Sequence, residues 1–170
     1  MNNTEIKTEA ILRKLLQQNN NPLWQDFITG IPRILCGLLL TIDFGSSKFG
    51  MPWTDSDRNL SLFEVAPWFT EDVAKFGFPF SLSPWLFAWL GAATEAIGGI
   101  FLTIGFGTRF WSVMLALTML TAIFFQKWSQ VMEQGVWPIL PALGFLWVAL
   151  FGIANGSGKL GLDYYVQRQP

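Results

Sequence analysis

The sequence predicts an all-α membrane protein. The expected architecture is a bundle of four transmembrane helices behind an N-terminal amphipathic helix, with short interfacial helices in the long loop between spans one and two. Three observations carry that expectation. Charged residues make up 14% of the chain and hydrophobic residues 51%, whereas soluble domains carry about 25% charged residues. Windows apolar enough to cross a hydrocarbon core of roughly 30 Å recur along the chain. Nine Trp and sixteen Phe suit a chain whose aromatic rings anchor it at both membrane surfaces.

Residues 5–16 read as an amphipathic helix. At 3.6 residues per turn, Ile11, Leu12, Leu15 and Leu16 share a face opposite Lys7, Arg13 and Lys14. Such a helix lies along a membrane surface or against a partner. A run of amides closed by Pro22 separates it from the first apolar segment, and no cleavable signal peptide is expected. The resulting division is a cytoplasmic N-terminal segment at 1–26, a membrane domain at 27–158 and a cytoplasmic tail at 159–170.

The spans are expected near 27–49, 84–107, 110–126 and 136–154. In the first, Arg33 and Asp43 flank nine uncharged residues. The third is uncharged and near the short limit for crossing. Pro138 and Pro141 fall in the first turns of the fourth, where a missing backbone donor is tolerated. Gly105-Phe106-Gly107-Thr108-Arg109 is too short to join spans two and three except as an antiparallel hairpin. Gly156-Ser157-Gly158 ends span four.

With both termini inside, seven Lys and Arg fall on the inner side and four on the outer side, which favours cytoplasmic termini. The loop at 50–83 interleaves Leu60, Phe63, Trp68, Phe69 and Phe76 with acids. That mixture suits short helices capping the bundle, or a lid over a binding site.

Composition also excludes functions. A net charge of −1 argues against a nucleic-acid partner, which needs a basic footprint. The absence of His and the single Cys36 remove the usual ligands of haem, iron–sulfur, zinc and copper sites. Cys36 reads as a small packed hydrophobe. No metal site and no catalytic residues are expected. Gly105-x-Gly107 reads as a membrane turn, because a nucleotide fingerprint needs a preceding strand.

Glu95 is the feature that composition leaves unexplained. It is the lone charged residue between positions 76 and 108 and falls mid-span, where a carboxyl costs about 2.5–3.5 kcal/mol on insertion scales. Small residues surround it in a stripe of Ala88, Gly91, Gly98 and Gly105, matched on span one by Gly30, Gly37, Thr41 and Gly45. Such stripes let two helices approach closely. The polar residues available to share a site with Glu95 are Arg33, Asp43, Lys48 and Thr94. In one reading Arg33 pairs with Glu95 as internal glue. In another, Asp43 and Glu95 form a two-carboxyl site for a proton or a polar head group, although Asp43 points away from the stripe. Thr41, Thr118 and Thr121 can add hydrogen bonds.

The arrangement resembles the DoxX family of small four-span membrane proteins. The pieces are Gly45-x-x-Lys48-Phe49, Phe76-Gly77-Phe78-Pro79, Glu95-x-x-Gly98-Gly99-x-x-Leu102, Gly105-x-x-Thr108-Arg109 and Gly156-x-Gly158-Lys159-Leu160-x-Leu162-Asp163. The resemblance implies a multi-pass protein of the cytoplasmic (inner) membrane of a bacterium or archaeon. It is similar to the small DoxD-type subunit of thiosulfate:quinone oxidoreductase or to partners of membrane oxidoreductases. The carry-over is firmest for Lys48, Glu95, Arg109 and Asp163, with Gly98 and Gly99 also motif positions.

The expected function is an accessory subunit of an oxidoreductase or respiratory-type complex, holding a quinone or lipid near Glu95. It would act with a protein partner or as a homo-oligomer. The alternatives are a structural or assembly factor and, behind it, a small carrier. A stand-alone enzyme is not expected.

Overall fold

A computed structural model describes residues 22–166; the amphipathic helix expected at 5–16 lies outside them. Four apolar helices long enough to cross a membrane are present: Leu23–Gly45, Pro84–Ile104, Thr108–Gln126 and Trp137–Asn155. In chain order, α1 is Leu23–Leu39 and runs into a π-helical turn, Leu40–Gly45. After it, α2 is the short cap helix Pro67–Ala74, and α3 is Pro84–Ile104. Next, α4 is Thr108–Thr121, prolonged by a second π-helical turn, Ala122–Gln126. Then α5 is Trp128–Gln134, α6 is Leu140–Asn155 behind a 3-10 turn Trp137–Ile139, and α7 is Leu162–Val166.

The bundle therefore has a terminal end, carrying Leu23 and α7, and a loop end, carrying α2 and α5. The spans pack as a ring in which α1 touches α3 and α6, and α4 touches the same two. Cys36, Leu40, Leu102, Leu115, Met119 and Ala149 fill its centre. The outward faces are apolar, with Ile31, Leu35, Leu117, Trp147 and Leu150 exposed, as spans facing lipid require.

Span one begins four residues earlier than the sequence suggests. Asp26, the charge just before the expected start, is buried at 2% exposure. It has Gly158 against it and the Lys159 ammonium 3.8 Å away. A charge answered in this way does not break the helix.

The register of α1 against α3 determines much of the molecule. Gly37 lies on Gly99 and Thr103, and Gly45 lies on Ala96. A Cβ at Gly37 would come within 2.5 Å of the Gly99 carbonyl, and one at Gly45 within 2.6 Å of the Ala96 Cα. Thr41 Oγ1 donates across the crossing to Ala96 O at 3.0 Å. The small-residue stripe expected on span one is thus the contact face. Its partner on span two is Ala96, Gly99 and Thr103, one position round the helix from the stripe the sequence suggests. Gly98 instead meets the Trp111 ring of α4, and Gly91 faces Phe69 and Thr118.

Aligning the two spans by their midpoints would set residue 38 level with 95–96. The observed contacts slide α1 toward the terminal end by roughly 10 Å, at 1.5 Å per residue. Helix α1 consequently stops halfway up α3. The space above it is filled by the loop, whose Phe49, Val65, Phe69 and Val73 bury themselves against Ala88 and Ala92.

At the terminal end, residues 157–163 fold back into the bundle. The Asp163 carboxylate accepts from Gly107 N at 2.7 Å and Thr108 N at 2.9 Å. It thereby satisfies two of the open donors at the start of α4 and complements the helix dipole. Gly105 allows the approach with φ +71°, and a Cβ there would meet Gly161 and the Arg33 guanidinium.

Candidate functional site

The Lys48 ammonium is brought to Glu95 by backbone pairing. After the π-helical turn the chain curls, with Lys48 N and Phe49 N both donating to Gly45 O. Phe49 then forms an antiparallel bridge with Val65. Gly50 N donates to Glu64 O, Phe63 N to Gly50 O and Ala66 N to Lys48 O, each at 2.8 Å. The fully buried Phe49 ring packs edge-on against Trp89. Held on both sides, Lys48 turns its side chain back into the bundle.

There Lys48 Nζ lies 2.6 Å from Glu95 Oε2, with side-chain exposures of 14% and 5%. The ammonium also sits 5.1 Å from the centre of the Phe69 ring of α2, within cation–π range. Each ion answers the other, which offsets the cost of a lone charge at mid-span. Glu95 Oε1 takes no hydrogen bond among the described residues.

The pair forms one wall of a cavity of about 260 Å³ enclosed by α2, α3 and α4. The remaining wall is mostly apolar. Phe80 closes the loop end, in edge contact with Phe87 at 5.0 Å and Phe125 at 4.9 Å. Gly91 widens the cavity, since nothing lies within 3.8 Å of where its Cβ would be. Leu90 and Leu117 line it and are 47% and 54% exposed, so it opens sideways between α3 and α4 toward the bilayer. Thr94, Thr118 and Thr121 also line it. Their hydroxyls donate to the carbonyls four residues back, Leu90, Met114 and Leu117, at 2.7, 3.0 and 2.9 Å.

Of the polar residues expected at this site, Lys48, Glu95 and Thr94 meet. Arg33 does not join them. Its guanidinium donates to Leu102 O, Ser157 O and Leu160 O at the terminal end, about two turns below Glu95. The proposed Arg33–Glu95 glue is therefore replaced by Lys48–Glu95, because the slide of α1 carries Arg33 down and Lys48 to mid-depth. Asp43 does not share a site with Glu95 either; it is exposed on the outer side of the π-helical turn. Arg109 donates to Ala154 O at 3.3 Å, linking α4 to α6. Gly98, Gly99 and Asp163 take the packing and capping places described above.

Phe69 and Gly91 are members of the cavity that sequence reasoning did not single out for it. Phe69 carried a faint signal as an aromatic in a loop too apolar for a linker. Gly91 looked like helix packing.

The fold and the site together define a small multi-pass helical membrane protein with a polar pair at the wall of a lipophilic cavity. Residues 33–128 match the DoxX family, and the chain belongs to that family. No curated protein and no solved structure matches it.

Proposed function

We infer that this DoxX family member holds a lipophilic molecule with a polar ring head, of the quinone class, in the cavity beside Lys48 and Glu95. In this reading it serves a membrane oxidoreductase as a non-catalytic accessory subunit. The observation that carries this is one cavity that joins an apolar wall, a buried charge pair and a sideways opening to lipid. Ligand sites are typically apolar with a few placed polar groups. About 260 Å³ suits a single ring head, its tail leaving between Leu90 and Leu117. A bound quinone would supply two-electron, two-proton chemistry; the chain's part is to seat and orient the ring.

The excess of Lys and Arg on the terminal side supports placing both termini in the cytoplasm, with the cavity in the outer leaflet of a bacterial inner membrane. The exposed apolar face of α6, with Leu143, Trp147 and Phe151, leaves room for a protein partner or a second copy.

A second reading, a structural or assembly factor, draws on the same ion pair. Lys48–Glu95 ties the loop to the bundle whether or not anything binds. Mass spectrometry of material co-purifying in mild detergent separates the two. A stoichiometric quinone, lost when Gly91→Leu fills the cavity, is the expected result. Identical lipophile content in both proteins would overturn the ligand reading.

A further inference from the structure

The hydrogen-bonding inventory of the cavity is lopsided. The three threonine hydroxyls each spend their hydrogen on a backbone carbonyl, so toward a ligand they offer lone pairs only. Glu95 Oε1, with no partner among the described residues, is likewise an acceptor. The donors are the Lys48 hydrogens not given to Glu95 and the amide of Gln126 at the loop end of the cavity.

Resting on the ligand reading above, we propose that the cavity selects a head group bearing hydroxyls: the reduced, quinol form of a quinone couple over the oxidised form. One hydroxyl beside the pair accepts from Lys48 Nζ and donates to Glu95 Oε1, so both charged partners are satisfied by a single oxygen. A second hydroxyl has threonine lone pairs to donate to. A quinone carbonyl beside the pair can accept from Lys48 but sets its own lone pairs against the Glu95 carboxylate, and its second carbonyl finds a donor only at the Gln126 amide. Burying a carbonyl against Glu95 Oε1 leaves that oxygen without a donor, which is the costly arrangement. Hydrogen bonds to an ionised carboxylate are also roughly twice as strong as neutral ones, which adds to the preference. The selection is by binding alone, with no electron transfer within the chain.

The test uses the full chain in mild detergent, freed of bound lipophile. It is titrated with a decyl-substituted benzoquinone and, without oxygen, with the matching benzoquinol, and calorimetry gives the two dissociation constants. The quinol is expected to bind about tenfold more tightly, the difference one charge-assisted hydrogen bond can supply. Glu95→Gln, whose amide can donate to a carbonyl, should bring the two forms close to parity. Should that variant fold poorly, Thr118→Val keeps the shape, removes one acceptor and should reduce the preference by about threefold. Equal or tighter binding of the quinone by the unaltered protein overturns this inference and leaves the ligand reading intact. Failure of both forms to bind overturns both readings.

Discussion

Lys48 Nζ and Glu95 Oε2 are 2.6 Å apart, at the level where α1 ends and the middle of α3 begins. This contact holds the capping loop to the membrane bundle and places the principal charged groups of the cavity. It exists because Gly45 rests on Ala96, which stops α1 half a membrane short and lets the following residues enter from above.

Removing one partner should be worse than removing both. Glu95→Gln or Lys48→Met alone leaves a buried charge unanswered and should cost about 3–5 kcal/mol, whereas the double variant should recover most of the loss. Unfolding of the four proteins in detergent gives the coupling. Additive losses would mean that the pair is not formed in solution.

Gly91→Leu should block the cavity without harming the fold. The Cβ site is open to ordinary contact distance and the longer side chain enters apolar space. Thermal stability should hold or rise while quinol binding falls at least tenfold, an effect of more than about 1.4 kcal/mol. A variant that binds as before would remove the cavity from consideration as the site.

Asp163→Ala should loosen the terminal end. It leaves the Gly107 and Thr108 amides uncapped at a cost of about 0.5–2 kcal/mol. It also releases the segment that folds over Arg33. Limited proteolysis should cut after span four sooner than in the parent protein, with ligand binding at the far end unchanged. Equal resistance to the protease would show that the carboxylate is dispensable to the clasp.

Gly37→Val and Gly99→Val should each abolish folded protein, because both residues stand where α1 and α3 backbones touch. Gly144→Ala is the control: nothing lies within 4 Å of its Cβ position, and an alanine within a helix is favoured over glycine by about 0.5–1 kcal/mol. Comparable yield for Gly37→Val and Gly144→Ala would contradict the crossing.

Asp43→Asn should change neither stability by more than about 0.5 kcal/mol, the usual range for surface positions, nor ligand affinity. Asp43 is exposed and does not line the cavity. A marked loss of binding would restore Asp43 to the site.

The element types and the glycine face of α1 were legible in the sequence because they depend on local pattern. Charge-free windows of membrane length, Gly105 and Gly107 at the hairpin, and Gly37, Thr41 and Gly45 at helical spacing each carry their meaning within a few turns of chain. Glu95 was marked as bundle-facing by the same local logic. Its partner was only one of several candidates, Lys48 among them, since midpoint alignment of spans one and two put Arg33 within reach.

The sequence by itself therefore determined the class: four apolar helices, a polar point at mid-membrane on the second, and an aromatic cap over one end. Only the tertiary structure decided which cation meets Glu95, that Arg33 belongs to the terminal clasp, and that α2, α3 and α4 leave a cavity between them. The physical reason is register. Two glycine-lined helices can slide past each other with little change in local pattern, and the stop is set by long-range contacts. Gly45 on Ala96, Asp26 against Gly158, and residues 157–163 over the α3–α4 turn together fix how far α1 descends.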